Sequence, residues 1–293
     1  MENQNNKIHL NLNTIGLVAK KSEEIAPQIE KIVKILKKKN INLLVEKSSA
    51  EFFGLKGVEF KEILENTNVF ISLGGDGTLI STARTLALKN AFILGVHAGT
   101  LGFLTDTKLD EFAKFMDDFL GGNYEIQKPI ILDVVLENKN GKVIKKVAFN
   151  DVVITRSLTS SMAKIDAFLN RKYFNTYFGD GVLVSSPIGS TAYNMSSGGS
   201  IVYPLCDVFC LTPICSHSLS QRPLILPKDC MVSFKNSGGS EVSIVIDGQD
   251  AFDMSEFKSV SVGINKTRIS LIRNAKADYF DILKEKLGWG QNA

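Results

Sequence analysis

No uninterrupted apolar stretch in the 293 residues approaches the ~20 needed for a helix to cross a bilayer. The opening segment, Met1 to Lys7, is polar and has no apolar signal-peptide core, so the chain is expected in the cytoplasm, away from membranes. Cysteine is scarce: the four present, Cys206, Cys210, Cys215 and Cys230, form no Cys-x-x-Cys pair. That argues against a structural zinc site and fits reduced, mostly buried thiols. There is no H-E-x-x-H, and the three histidines are scattered. Charge of one sign is lacking too. The net +3 is too mild to indicate a nucleic-acid partner, and the run Lys37-Lys38-Lys39 closes an amphipathic segment where cations suit the negative end of a helix dipole. No repeat, low-complexity tract or long linker is visible.

What is present is an ordinary globular composition, 44% hydrophobic and 22% charged, long enough for two domains with cores of their own. The first part alternates strand and helix signals. Thr14 to Ala19, Ile41 to Val45, Val69 to Leu73 and Ala91 to Val96 read as short buried strands. Ile25, Ile29, Ile32, Val33 and Leu36 share one helical face, as do Phe112, Phe115, Met116 and Phe119. Such alternation predicts a parallel sheet covered by helices. Beyond Gly121-Gly122 the pattern changes to short β-branched runs separated by turns. Ile131 to Leu136 and Val143 to Phe149 flank Asn140-Gly141, a strong hairpin signal. Glu241 to Ile246, Ser259 to Ile264 and Arg268 to Ile272 continue the β character. The tail, Ala277 to Leu287, turns helical, with Tyr279, Phe280, Leu283 and Leu287 as the expected buried face. The expected architecture is therefore an α/β N-terminal nucleotide-binding domain over residues 1–125, with 273–293 packing back on it, and a β-rich domain over 126–272.

Two segments carry chemistry. In the first, the apolar run Val69 to Leu73 stops at Gly74-Gly75-Asp76-Gly77-Thr78, and a helix is expected from Leu79 to Lys89. A strand feeding a glycine-rich turn and a helix is a natural phosphate site. Glycine lets the backbone approach the ligand, and the first-turn N–H groups point at it. A carboxylate inside such a loop would repel phosphate unless it holds a metal or takes a proton, which suggests phosphoryl transfer rather than nucleotide binding alone. The second segment runs from Phe178 to Ser200. Gly179-Asp180-Gly181 places a carboxylate before the apolar run Val182 to Val184, and Ser190-Thr191 is expected to cap a short helix from Ala192. Hydroxyls, a carboxylate and Tyr193 close together suit a nucleoside; a capped helix with turn glycines and a solvated Asp180 is the alternative. Asn150-Asp151 interrupts an apolar strand and marks either a bulge or a pair facing a ligand.

Taken together, these residues resemble the NAD kinases over most of the chain. In order come Gly74 to Thr78, Gly95-Val96-His97-Ala98-Gly99-Thr100-Leu101-Gly102-Phe103-Leu104, Asn150-Asp151, Gly179-Asp180-Gly181, Gly189-Ser190-Thr191-Ala192-Tyr193 with Ser197-Gly198-Gly199, Leu211 to Cys215, His217, Arg222-Pro223 and Asp247-Gly248-Gln249. The first element is shared with diacylglycerol-type lipid kinases; the glycine-serine-threonine-alanine-tyrosine element makes the match specific.

The resemblance implies transfer of the terminal phosphoryl group of ATP to the 2′-hydroxyl of the adenosine ribose of NAD, with a divalent metal ion, Mg2+, as cofactor. The implied assembly is a homodimer or homotetramer. It implies Asp76 as general base contacting the accepting hydroxyl, and Gly74, Gly75, Gly77 and Thr78 as the phosphate and ATP loop. Asn150 and Asp151 would hold NAD. Its pocket would be lined by Asp180, Thr191, Ala192, Tyr193, Asn194, Met195 and Ser196, with Gln249 and Gly77 contributing and Phe103 and Leu104 bordering the adenine side. Ile188 stands where family members often carry a hydroxyl residue, and Ser186 replaces a frequent threonine. His97 reads equally as a ligand contact or a structural hydrogen bond. A diacylglycerol-type lipid kinase and a binding-only dinucleotide sensor are the competing readings, and retention of Asp76 weighs against the sensor.

Overall fold

The computed structural model describes residues 10–99, 101–157 and 159–290, so Thr100 of the glycine-rich 95–102 segment lies outside the described residues. The chain divides into two compact units, one up to Gln127 together with Ser270 onward, the other Lys128–Ile269.

In the first unit the strands run in the order Asn42–Val45, Thr14–Ala19, Val69–Gly74, Phe92–His97, Ser270–Arg273, Glu125–Gln127, with Thr107–Lys108 pairing Phe92–His97 off that path. All neighbours are parallel except Glu125–Gln127, which is antiparallel to Ser270–Arg273. The Val69–Gly74 and Phe92–His97 strands are buried at every position, which explains their unbroken apolar sequences: a parallel strand is covered on both faces. The chain first places Asn42–Val45 on one side of Thr14–Ala19 and then Val69–Gly74 on the other. That reversal makes a switch point between Thr14–Ala19 and Val69–Gly74, and ligands of open α/β sheets bind at the carboxyl ends of strands at such a point. Gly74 to Thr78 lies there.

The helix Ala26–Lys38 buries Ile29, Ile32 and Leu36, with Pro27 in its first turn; Val33, expected on that face, is 40% exposed. Phe112–Leu120 buries all four predicted residues, Phe112, Phe115, Met116 and Phe119. Two short helices, Lys47–Phe52 and Phe60–Asn66, were not anticipated. The last helix, Tyr279–Leu287, is capped by the Asp278 side chain and ends at Gly288 in the left-handed region (φ 66°), where glycine carries no Cβ penalty. Its buried residues are Ile282 and Leu283. Phe280 is 52% exposed, so the expected face is rotated.

The second unit consists of two six-stranded antiparallel sheets. One runs Lys172–Gly179, Ala163–Leu169, Met231–Asn236, Phe257–Arg268, Ile130–Asn138, Val143–Ala148; the other Leu224–Pro227, Val208–Ile214, Gly181–Ser185, Asp151–Arg156, Val242–Ile246, Asp250–Asp253. Val134, Val232, Phe234 and Val262 from the first and Val152, Ile154, Phe209 and Ile244 from the second belong to one buried cluster. Alternating in-facing apolar residues on both sheets produce this sandwich core. The hairpin at Asn140-Gly141 joins Ile130–Asn138 to Val143–Ala148, with Gly141 at φ 79°.

Candidate active site

In the first unit, Gly75 is the N-cap of the helix Asp76–Leu86, which therefore begins three residues earlier than its sequence indicates. Glycines at 75 and 77 depress helix propensity and hide the start. Both are exposed, and a Cβ built on either would meet nothing within 4 Å. The loop thus has open space above it, beside first-turn N–H groups that have no partner within the helix. Gly74 is different. Its φ of 157° and a Cβ that would lie 2.5 Å from Thr78 Oγ1 leave no room for a side chain.

The Asp76 carboxylate does not cap its own helix. It is held by the loop that follows the Phe92–His97 strand. Phe103 N–H donates to Oδ2 at 2.8 Å, while Oδ1 accepts from Leu104 N–H, Thr105 N–H and Thr105 Oγ1, each at 3.1 Å. Gly102 permits this approach, since a Cβ there would sit 2.0 Å from Oδ1. Four hydrogen bonds, three of them on Oδ1, fix the carboxylate and leave Oδ2 with acceptor capacity for one more donor. His97 is buried, with Nδ1 2.8 Å from the Gly99 carbonyl oxygen and Nε2 without a hydrogen-bond partner among the described residues. Its ring therefore has the structural bond, and a ligand contact is not assigned to it.

In the second unit a cleft of about 370 Å³ is lined by Asn150, Asp151, Val153, Thr155, Ala192, Tyr193, Val245, Asp247 and Gly248. That is the size of a small-ligand site, with an apolar floor and a few polar groups. Asn150 and Asp151 do not satisfy each other as a bulge. Their backbone is gripped by Asp247, whose Oδ2 accepts from Phe149 N–H (2.8 Å) and whose Oδ1 accepts from Asn150 N–H (2.7 Å) and Asp151 N–H (3.0 Å). Asp247 stands at φ 51° in the hairpin turn before Gly248. Two aspartates, one in each unit, thus hold three consecutive N–H groups apiece. The Asn150 Oδ1 is buried without a hydrogen-bond partner among the described residues, an acceptor awaiting a donor. Burial, reinforced by the Asp247 charge, pushes the Asp151 carboxyl up to about 7.

The segment 188–200 is shaped differently from its sequence reading. Ile188–Thr191 is a 3-10 turn and Tyr193–Ser196 a single helical turn, with Ala192 at φ −97°, ψ −130° between them. Ser190 caps nothing; its hydroxyl bonds the Pro187 and Val202 carbonyls. Asn194 is wholly buried, donating to the Ser190 and Ser200 carbonyls and accepting from Thr212 Oγ1 at 2.6 Å. It ties this segment to the Val208–Ile214 strand and leaves Ala192 and Tyr193 at the cleft, with Tyr193 43% exposed. Met195 is half-buried, Ser196 exposed, and Thr191 Oγ1 donates to the Ile188 carbonyl; none of the three lines the cleft. Gln249 is exposed on the Asp247 turn. Asp180 pairs with Arg156 Nε at 2.6 Å, which holds its carboxyl below the usual range.

Sequence reasoning missed the contacts that Thr105, Gly102 and Asp247 make. Gly102, in the glycine-rich 95–102 segment, and Asp247, a carboxylate preceding Gly248 between two β runs, left a signal without its meaning.

An open glycine-rich loop with a fixed carboxylate in one unit, and a cleft of small-ligand size in the other, are the features a nucleotide-dependent phosphotransferase requires. Residues 15–124 match the ATP-NAD kinase N-terminal domain and residues 149–274 the ATP-NAD kinase C-terminal domain. The chain is 45% identical to the NAD kinase of Campylobacter jejuni strain 81-176 over 287 residues, 98% of this chain and 99% of the relative. It is 43% identical to that of Sulfurimonas denitrificans over 278 residues, 94% of this chain and 97% of the relative. Yeast NADH kinase, solved in complex with NADH, superposes with a TM-score of 0.87 at 25% identity, covering 96% of this chain and 89% of its own. The chain belongs to the NAD kinase family, an enzyme that phosphorylates NAD, and these relatives support neither a lipid kinase nor a sensor.

Proposed function

We propose that this enzyme transfers the terminal phosphoryl group of ATP to the 2′-hydroxyl of the adenosine ribose of NAD, with Asp76 as the base. The observation that carries this assignment is the Asp76 carboxylate, fixed by four hydrogen bonds beside the open Gly74–Thr78 loop with Oδ2 bonded only once.

Gly74, Gly75, Gly77 and Thr78 take the phosphates, offering backbone N–H groups and the positive end of the Asp76–Leu86 helix. Among the described residues no group of three His, Cys, Asp or Glu side chains is placed to hold a metal ion. We assign the Mg2+ ion to the triphosphate of ATP, where it would need few protein ligands. When bound, the ion neutralises charge developing on the phosphate oxygens. Phosphoryl transfer proceeds through a loose transition state, so the base mainly orients the nucleophile and takes its proton late. Asp76 Oδ2 accepts that proton from the ribose hydroxyl as the new O–P bond forms and ADP leaves.

In the second unit the cleft takes NAD. Asn150 Oδ1 accepts from a ligand amine, Asp151 and Thr155 meet hydroxyl groups, and the exposed Tyr193 ring offers a face for stacking over the Val153 and Val245 floor. Asp180, Thr191, Asn194, Met195 and Ser196 contribute by fixing that wall, and Gln249 borders the ligand. The enzyme works in the cytoplasm as a homodimer or homotetramer; no helix among the described residues is long and apolar enough to cross a membrane.

The test is NADP formation from NAD, ATP and magnesium, coupled to an NADP-specific dehydrogenase, with Asp76→Asn beside the wild type. Turnover lost by about a hundredfold or more, with NAD still binding, supports the assignment. Unimpaired turnover removes Asp76 from the mechanism.

A further inference from the structure

Arg273 ends the strand Ser270–Arg273, at the far end of the sequence from Asp76, and is only 8% exposed. Its Nη1 donates to the Leu104 carbonyl at 2.5 Å and its Nη2 makes a longer contact, 3.5 Å, with the Phe103 carbonyl. Its Nε pairs with Asp106 Oδ2 at 3.2 Å, and the Asp106 side chain is 2% exposed. The carbonyls of Phe103 and Leu104 belong to the same peptide groups as the N–H groups of Leu104 and Thr105. Those two N–H groups donate to Asp76 Oδ1. Each peptide group is therefore oriented with its oxygen towards a guanidinium and its hydrogen towards a carboxylate.

We infer that Arg273 is a positioning residue for Asp76, acting through the Phe103–Leu104 and Leu104–Thr105 peptide groups, an inference that rests on Asp76 being the base. Two peptide dipoles aligned between a cation and an anion are electrostatically favoured in that one orientation, and a chain of hydrogen bonds strengthens its members where water is excluded. The guanidinium suits the task because its planar fork reaches two carbonyls while its Nε holds Asp106. A lysine ammonium keeps the charge but cannot span all three oxygens in fixed geometry. Asp106, in turn, keeps the fork from rotating, and its second contact, with Asn274 N–H at 3.3 Å, anchors it to the chain just beyond Arg273. The carboxylate that meets the substrate hydroxyl is thereby set by a residue that never touches substrate.

The experiment is steady-state kinetics and hydrogen exchange on the full-length enzyme with Arg273→Gln, Arg273→Lys and Asp76→Asn. Arg273→Gln is expected to lower kcat about ten- to a hundredfold, the scale of a misplaced reacting group. KM for NAD and ATP should stay within about twofold, because the binding contacts are untouched. Exchange at the 103–105 amides should quicken. Arg273→Lys is expected to recover part of kcat and part of the protection, which a purely structural ion pair would not require. Should the glutamine variant fail to fold, the lysine variant decides by the same split, with reduced kcat at unchanged KM. Wild-type kcat in either folded variant overturns the inference, as does a loss in which KM rises in step. The two levels remain separable: full turnover in Asp76→Asn sinks the base assignment itself, whereas an inactive Asp76→Asn beside a fully active Arg273→Gln sinks only the link to Arg273.

Discussion

Replacing Asp151 by asparagine should stabilise the enzyme at alkaline pH and have little effect in acid. In the folded protein burial and the nearby Asp247 push the Asp151 carboxyl from its ordinary 3.8 up to about 7. The unfolded chain ionises near the ordinary value. Between about pH 4 and pH 7 the native state therefore binds the extra proton, and unfolding releases it. Stability contributed at this site is greatest in acid and falls as pH rises through that window. The full gap, about three pH units at about 1.4 kcal/mol each, sets a ceiling of about 4 kcal/mol. From pH 5 to pH 8 the part traversed is about 2–3 kcal/mol. Asparagine cannot ionise, so the variant lacks this slope, and titrations elsewhere cancel in the comparison. At roughly 2–4 °C per kcal/mol, the Tm of Asp151→Asn relative to wild type should rise by about 5–10 °C between pH 5 and pH 8. The assay is thermal unfolding of both proteins at several pH values without nucleotide. A Tm difference that stays constant with pH, or that moves the other way, would refute the reasoning.

Gly102→Ala places a Cβ 2.0 Å from Asp76 Oδ1 and 2.5 Å from Thr105 Oγ1. It should cost about 1–3 kcal/mol of stability and lower kcat at least tenfold while NAD binding, measured by calorimetry, is retained. Chelation with EDTA should abolish turnover yet leave the Tm of the nucleotide-free enzyme unchanged, since the ion is assigned to ATP rather than to a protein cage; a Tm that falls on chelation would point to a resident metal.

The strands of the first unit were legible because a parallel sheet buries both faces and writes itself as apolar runs bounded by turns. Val69 to Leu73 stops one residue short of the observed Val69–Gly74, and Ala91 to Val96 is offset by one residue from Phe92–His97. The short helices Lys47–Phe52 and Phe60–Asn66 span under two turns and have too few apolar residues to show a period. The helix from Asp76 was dated late because glycine penalises helix locally while the N-terminal position tolerates it. For the tail helix, periodicity placed Phe280 inside where Ile282 is, since a nine-residue stripe can be drawn at more than one phase.

In the site, the turn at Gly74 to Thr78 and the polar Asn150-Asp151 pair at the start of a strand stood out in the sequence because glycine runs and polar interruptions of apolar strands are local signals. The grip on Asp76 did not, because its donors come from residues 27 to 29 positions away. The Arg273 contact to Leu104 spans 169 positions, and nothing in the composition of either segment points to the other. Asn194 shows the reverse case. A polar residue inside a nucleotide-like motif was expected in the pocket, whereas it is buried and bonded to Ser190, Ser200 and Thr212.

The most direct test of the central claim is the rate of NADP formation from NAD and ATP with magnesium, measured for the wild type and for Asp76→Asn, with NAD affinity determined in parallel. The account predicts steady turnover in the wild type, a loss of about two orders of magnitude or more in the variant, and similar NAD affinity in both. Equal rates in the two proteins, or no NADP from the wild type, would contradict it.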